Sequence, residues 1–134
     1  MAEPQIGHLL RRAYFRAQRN AAEALAPLGL SPVQAAALGA LAGGAMSQAE
    51  LGRRLDMEPA NVHTLVRRLN AAGFIETRPD PDNGRRVLAA LTPAGEGALG
   101  GLADPRRTAA EATLQALSPE DRATLLRLLA RLVE

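Results

Sequence analysis

Residues 47–92, SQAELGRRLDMEPANVHTLVRRLNAAGFIETRPDPDNGRRVLAALT, decide the fold of this chain. Apolar residues recur at helical spacing in two segments, 48–55 and 59–72, which a short turn separates. Two segments with the residue types of β-strands follow at 74–78 and 85–91. The order helix, turn, helix and hairpin predicts one compact unit in which the second helix lies beside the hairpin.

The turn of this hairpin is expected within 79–84, because Asn83 and Gly84 form a dipeptide typical of tight turns between antiparallel strands. Arg85 and Arg86 follow directly, so we expect an arginine pair at the tip of the hairpin. Such a pair is suited to the narrow minor groove of DNA, which favours arginine electrostatically. The alternative interpretation is a solvated start of a strand.

The segment 59–72 has the pattern of a helix with one buried face, formed by Val62, Leu65, Val66 and Leu69. The opposite face and the start of the preceding helix supply eight candidate DNA-binding residues: Ser47, Gln48, Ala60, Asn61, His63, Thr64, Arg67 and Arg68. Arg85 and Arg86 of the hairpin complete the set. No acidic residue lies between 59 and 72, and the amides of the helix N-terminus favour a phosphate. A solvated amphipathic helix is the alternative, but the arginine-rich hairpin that follows favours DNA contact.

Four helix starts are marked by a capping hydroxyl, at Ser31-Pro32, Ser47 with Glu50, Thr92-Pro93 and Ser118-Pro119. With the glycine and proline breaks, they predict helices at 3–26, 32–41, 48–55, 59–72, 93–117 and 119–133 and a short strand at 45–46 besides the hairpin. A kink or break is expected near Asp104-Pro105, because proline removes a helical hydrogen bond. The predicted fold class is mainly α with a small antiparallel β-wing (α+β): a single domain over 1–134 with a winged helix-turn-helix at 32–92, flanked by terminal helices.

The terminal helices carry apolar stripes, formed by Ile6, Leu10, Ala13, Ala17, Ala21 and Ala24 at one end and by Leu125, Leu128, Leu129, Leu132 and Val133 at the other. A chain of 134 residues has little else with which to cover both stripes, and exposed patches of this kind mark interfaces. We therefore expect a homodimer, which would also present two helices to DNA half-sites about 34 Å apart.

Composition and charge exclude several function classes. The net charge is only +2 and is spread along the chain, so DNA binding must depend on local geometry. All 16 basic residues are arginines, which suit phosphates and guanine edges, although a GC-rich coding bias explains the absence of lysine more simply. With no cysteine, no metal-ligand spacing and no catalytic grouping, we expect no enzyme, no metal and no cofactor. No apolar run reaches the roughly 20 residues of a membrane helix, and no signal-peptide pattern is present, so a cytoplasmic location is expected.

The chain resembles the MarR family of transcriptional regulators over nearly its whole length. The helix order carries part of this resemblance, and its most specific part is the segment Asp80-Pro81-Asp82-Asn83-Gly84-Arg85-Arg86, followed by Leu91-Thr92 and Gly95. The resemblance implies a homodimer in which the terminal helices, 3–26 and 93–133, interlock. It also implies that the two winged units bind adjacent major grooves of a pseudo-palindromic site in double-stranded DNA.

The resemblance further implies a regulator, expected to be a repressor, that a small aromatic or anionic effector releases from DNA. The candidate residues for an effector site between the dimer region and the winged unit are His8, Tyr14 and Met46, with a core role as the alternative for Tyr14. A helical module whose winged unit binds protein instead of DNA is the alternative function, which the low net charge keeps open.

The chain departs from the family pattern at one position of the wing. The family usually carries an aspartate two residues before its conserved arginine, which matches Arg85, but Asn83 occupies the position of the acid. We therefore expect a neutral hydrogen bond at the base of the wing, unless Asp82 supplies the missing charge.

Overall fold

The computed structural model describes residues 3–134. Its elements, in chain order, are α1 (Ile6–Leu25), α2 (Pro32–Leu41), β1 (Met46–Ser47), α3 (Gln48–Leu55), α4 (Pro59–Ala71), β2 (Ile75–Asp80), β3 (Asn83–Leu91), α5 (Pro93–Gly100), α6 (Ala103–Leu114) and α7 (Pro119–Val133). Short 3₁₀ turns flank α1 at Glu3–Gln5 and Ala26–Leu28. The strands form one antiparallel sheet in the order β1-β3-β2. The predicted fold class, a winged helix-turn-helix between terminal helices, is confirmed.

The hydrophobic core lies between α2, α3, α4 and the sheet. The predicted buried face of α4 is confirmed, since Val62, Leu65, Val66 and Leu69 all lie in the core. Leu25, Leu30 and Leu102 also belong to this core, although they lie outside 32–92. The core therefore includes residues from the segments that lead into and out of the winged unit.

Local contacts fix the angle between α3 and α4. Asp56 ends α3 in the left-handed region, with φ of 52°, and the Met57 amide donates to the Gly52 carbonyl at 2.9 Å. A Cβ on Gly52 would lie 3.0 Å from Cγ2 of Val62. Gly52 therefore allows the two helices to approach closely where the helix-turn-helix turns.

The four capping hydroxyls predicted from the sequence all accept a hydrogen bond from a first-turn amide. At Ser31 the capping box, a reciprocal pair of hydrogen bonds, is complete, because the Gln34 side chain also accepts from the Ser31 amide at 2.9 Å. At Ser47 only one half forms: the hydroxyl accepts from the Glu50 amide at 3.2 Å, and the reciprocal bond is absent.

The hairpin turn lies at Pro81 and Asp82, inside the predicted range 79–84, but Asn83-Gly84 does not form it. Asn83 and Gly84 belong to β3, where Asn83 pairs with Asp80. Oδ1 of Asp80 accepts a hydrogen bond from the Asp82 amide at 2.9 Å, and proline fixes φ at the first position of the turn. These two local constraints determine the turn, and both strands extend further toward it than the sequence predicts.

The break expected near Asp104-Pro105 is present, but it falls slightly earlier, at Gly101 and Leu102. Pro105 is the third residue of α6. An amide at this position has no acceptor within the helix, so the proline removes no helical hydrogen bond. Leu102 is only 1% exposed, so the chain turns where that side chain enters the core.

The terminal helices form a second layer beside the winged unit. α1 packs along α6, and Nδ2 of Asn20 donates to Oγ1 of Thr113 at 3.0 Å. α7 is joined to α6 by Arg122, whose Nη1 lies 3.0 Å from both carboxylate oxygens of Glu111. No residue of α6 or α7 is buried within the described chain.

No single helix within residues 3–134 is long and apolar enough to cross a membrane. Only α1 with its flanking turns, taken together with α2, reaches that length and composition, and this pair is bent by 78°.

Candidate nucleic-acid interface

The face of α4 opposite the core is polar and open. Five residues of this face are exposed: Ala60, Asn61, His63, Arg67 and Arg68. All except Ala60 have side chains that can donate hydrogen bonds. Thr64 is half-buried, and its hydroxyl donates to the Ala60 carbonyl at 3.2 Å, so this donor is used within the helix. Among residues 3–134, His63 and Arg67 have no hydrogen-bond or ion-pair partner, which leaves their donors free for an external acceptor.

The N-terminus of α4 offers less to an anion than the sequence suggests. Pro59 has no amide hydrogen, and the Asn61 amide donates to the Glu58 carbonyl at 3.0 Å. Glu58 is exposed at the N-cap position and adds negative charge. A phosphate at this end would meet the Ala60 amide beside a carboxylate, so the expected phosphate site does not hold.

The two candidates on α3 have different surroundings. Ser47 is buried, and its hydroxyl caps α3, so the structure places it in a folding role and not at the surface of α4. Gln48 is half-buried and lines a cleft of about 610 Å³ between α3 and the start of α4, together with Arg53.

A second cleft, of about 350 Å³, lies on the other side of α4, toward α2. It is lined by Asn61, Thr64 and Arg68 of the candidate set and by Ser31 and Gln34 of the α2 cap. The structure therefore places α4 between two open clefts, and it brings three of the predicted residues together in one of them.

Three further exposed arginines of the winged unit were not singled out from the sequence. Arg53 and Arg54 occupy the last turn of α3, and Arg78 lies on β2. The amphipathic pattern of α3 contains the signal for Arg53, which falls opposite the buried Leu51 and Gly52, whereas Arg54 lies at the edge of the buried face. The exposed position of Arg78 depends on the register of the hairpin, which the sequence does not specify.

The arginine pair of the wing is exposed, but its two members differ. Arg85 has no ion-pair partner within residues 3–134, and its amide donates to Oδ1 of Asn83 at 3.1 Å. Arg86 lies with Nε 3.7 Å from Oδ2 of Asp80. Asn83 accepts a neutral hydrogen bond, as expected, but the donor is the main-chain amide of Arg85. The acid that pairs with an arginine of the wing is Asp80 and not Asp82.

The three candidate effector residues are not brought together. His8 and Tyr14 are exposed on α1, whereas Met46 is buried in the core. None of them lines any of the five clefts described in residues 3–134. Tyr14 is 58% exposed, so the structure does not give it the alternative core role either. In the same residues, no three His, Asp or Glu side chains come together as metal ligands.

Comparison with known proteins identifies the family. The model of the MarR family matches residues 28–86. A curated relative, the HTH-type transcriptional repressor NicR of Pseudomonas putida, is 31% identical over 131 residues, which cover 97% of this chain and 83% of the relative. The chain belongs to the MarR family.

Solved structures agree with this MarR-family assignment. A probable transcriptional regulator from Pseudomonas aeruginosa is 41% identical, with a TM-score of 0.88 over 98% of this chain and 99% of that one. BpsR of Bordetella bronchiseptica, whose DNA binding is regulated by 6-hydroxynicotinic acid, is 29% identical, with a TM-score of 0.88 over 97% and 99% of the two chains. The chain is a MarR-family transcriptional regulator, and these relatives are regulators and not enzymes.

Proposed function

We propose that this chain is a transcriptional repressor that binds a pseudo-palindromic operator in double-stranded DNA as a homodimer. The winged unit at 32–92 would contact DNA, and the terminal segments 3–26 and 93–133 would form the dimer. The proposed contacts come from the exposed face of α4, the start of α3 and the wing: Gln48, Ala60, Asn61, His63, Thr64, Arg67, Arg68, Arg85 and Arg86. Ser47 would act by capping α3.

The polar face of α4 is the observation that carries this proposal. A helix that buries one side completely and leaves free arginine, histidine and asparagine donors on the other, between two open clefts, can enter a major groove without losing any internal contact. The wing extends beside it with a further free guanidinium, on Arg85. The curated relative's description as a repressor supports the direction of regulation.

The distribution of exposed apolar side chains supports the dimer. Of the twelve large apolar residues that are exposed within residues 3–134, nine lie on α1 or α7: Ile6, Leu9, Leu10, Tyr14, Phe15, Leu126, Leu128, Leu132 and Val133. A 15-residue helix with no buried residue is marginal by itself in water. A second copy, related by a twofold axis, would cover these side chains by like-to-like contact.

A gel shift with the DNA that flanks the chain's own gene tests the proposal. We expect a shift that weakens steeply with salt, because arginine contacts release counterions from phosphates. Arg67→Ala should cost about 1–3 kcal/mol of binding and reduce the preference for this DNA over a random duplex, since a base contact is lost. Arg107→Ala, which removes an exposed arginine of α6, is the matched control and should change neither quantity.

Two outcomes would contradict the proposal. If a folded dimer gives no shift even at low salt, the alternative of a module that binds protein is favoured. If Arg67→Ala weakens binding to both DNAs equally, α4 does not contact bases at this residue.

We further propose that a small aromatic or anionic effector releases the DNA. The regulation of BpsR by 6-hydroxynicotinic acid supports this class of ligand. Because His8 and Tyr14 are exposed on α1, a pocket that used them would be completed by the partner subunit, and Met46 would support it only from the core. Adding 6-hydroxynicotinic acid to the same gel shift is the first test, and undiminished binding at saturating concentration would exclude this compound as the effector.

A further inference from the structure

The tip of the wing contains an irregular segment that separates its two arginines. Pro79 pairs with Val87 and Asp80 pairs with Asn83, so the register shifts between these two positions. Residues 84–86 have no paired residue on β2. Arg85 and Arg86 therefore lie in a segment whose shape depends on side-chain contacts and not on the regular ladder of main-chain hydrogen bonds.

Asp80 supplies the contacts that hold this segment. Its Oδ1 accepts the Asp82 amide at 2.9 Å, which fixes the turn, and its Oδ2 lies 3.7 Å from Nε of Arg86. The Asp80 side chain is only 12% exposed although the wing protrudes, whereas that of Arg86 is 47% exposed. A carboxylate that is covered to this extent needs a compensating charge, and Arg86 supplies it.

Arg85 has no such partner. Its amide is held by Asn83 Oδ1, and within the described chain its guanidinium makes no ion pair. Since Asn83 is neutral, the acid that would attract Arg85 in the usual family pattern is missing. The two neighbouring arginines therefore differ in the charge that faces them.

We propose that Asp80 is a positioning residue that retains Arg86 on the wing, so that Arg85 is the free cation that the wing presents to DNA. This inference rests on the proposed DNA-binding function. It divides a pair of adjacent arginines into one residue that contacts nucleic acid and one that neutralises Asp80. It also makes Asp80, and not the more exposed Asp82, the acid that limits the affinity of the wing for phosphate.

Asp80→Asn is the decisive variant, because the amide oxygen can still accept from the Asp82 amide while the negative charge that faces Arg86 is removed. Arg86 should then reach a phosphate. One additional contact should steepen the salt slope by about 0.9 and tighten binding about fivefold near 0.15 M salt. The measurement is a salt titration of binding by fluorescence anisotropy, with a labelled duplex from the DNA that flanks the gene.

Asp82→Asn is the matched control, since it removes the same charge from the same turn without touching an arginine. Asp82 is exposed and forms no ion pair within residues 3–134. The affinity and salt slope of Asp82→Asn should differ from those of the parent chain clearly less than those of Asp80→Asn do. Equal gains in the two variants would show a bulk charge effect and would overturn the proposal.

The arginine variants test the division independently and leave the turn intact. Arg85→Ala should weaken binding about fivefold or more, and Arg86→Ala less than twofold. In the Asp80→Asn background the loss caused by Arg86→Ala should rise to about fivefold, because this substitution should then remove the whole gain. Equal losses for Arg85→Ala and Arg86→Ala in the parent chain, or a gain that persists in the Asp80→Asn, Arg86→Ala double variant, would overturn the proposal.

The parent chain separates this inference from the proposed function. If the parent does not bind the duplex at low salt, the DNA-binding function fails. If it binds and the double-mutant cycle of binding free energies for Asp80→Asn and Arg86→Ala shows no coupling, only the role of Asp80 fails.

Discussion

At the scale of single residues, the junction between the wing and α5 shows how little freedom some positions have. The Thr92 hydroxyl donates to the Gly73 carbonyl and accepts from the Gly95 amide at 3.1 Å, while the Thr92 amide donates to the Phe74 carbonyl at 3.1 Å. Gly95 is buried directly against that Phe74 carbonyl, and a Cβ at this position would overlap with the oxygen. The end of α4, the base of the wing and the start of α5 therefore meet at one point.

Gly95→Ala should destabilise the protein by about 1–3 kcal/mol, because the overlap is with main chain that cannot rotate away. Gly97→Ala on the same helix is the control: nothing lies within 4 Å of its added Cβ, and alanine favours helix by up to about 1 kcal/mol over glycine. Urea unfolding followed by circular dichroism measures both. Similar unfolding midpoints for the two variants would contradict the packing at Gly95.

At the scale of elements, the layer of terminal helices is tied to the winged unit by a long side chain. Nη2 of Arg106, on α6, donates to the carbonyl of Ala35 in the buried helix α2 at 3.2 Å. The next residue, Arg107, only pairs with Asp104 within its own helix, where both side chains are mostly exposed. Two adjacent arginines therefore differ in whether they join two elements.

Arg106→Ala should lower the free energy of unfolding by about 1 kcal/mol, because a hydrogen bond between α6 and α2 is lost. Arg107→Ala should change it by less than about 0.5 kcal/mol, as expected for an exposed ion pair. Both are compared by urea unfolding at one protein concentration, since a dimer's stability depends on it. An effect of Arg107→Ala as large as that of Arg106→Ala would show that Arg106 does not join the layers.

The sequence was sufficient to predict those elements whose signals are local. Capping hydroxyls and apolar spacing located α2, α3, α4 and α7 closely, and the exposed face of α4 followed because it lies opposite the core. The hairpin turn and the break in the helix 93–117 were expected, but their exact positions at Pro81–Asp82 and Gly101–Leu102 were not, because they depend on the Asp80 carboxylate and on the burial of Leu102. The pairing of Asp80 with Arg86 also depends on the shifted register, which no spacing in the sequence shows.

At the scale of the whole molecule, the uncovered apolar side chains of α1 and α7 support the proposed dimer. The described chain has a well-filled core around α4 and, beside it, helices whose large side chains face outward. Hydrophobic surface concentrated on two helices at the two ends of a chain is typical of an interface between identical subunits.

Leu128→Glu should shift the protein from dimer to monomer, because twofold symmetry places the new charge in the interface twice. Val87→Glu is the control, since Val87 is similarly exposed (56% against 44%) but lies on the wing. Sedimentation velocity at micromolar concentration distinguishes the two states. A parent chain that sediments as a stable monomer would contradict the dimer, and dissociation by Val87→Glu would show that the interface is elsewhere.

The participation of Leu25, Leu30 and Leu102 in the core has a consequence for protein engineering. A chimera that transplants only residues 32–92 onto a foreign dimerisation scaffold would leave the faces of α2 and α4 without these leucines and would cut the chain at the Thr92 junction. A graft that begins before Leu25 and ends after Leu102 retains every side chain of the core. In this chain the smallest transferable winged module is therefore larger than the segment that is proposed to contact DNA.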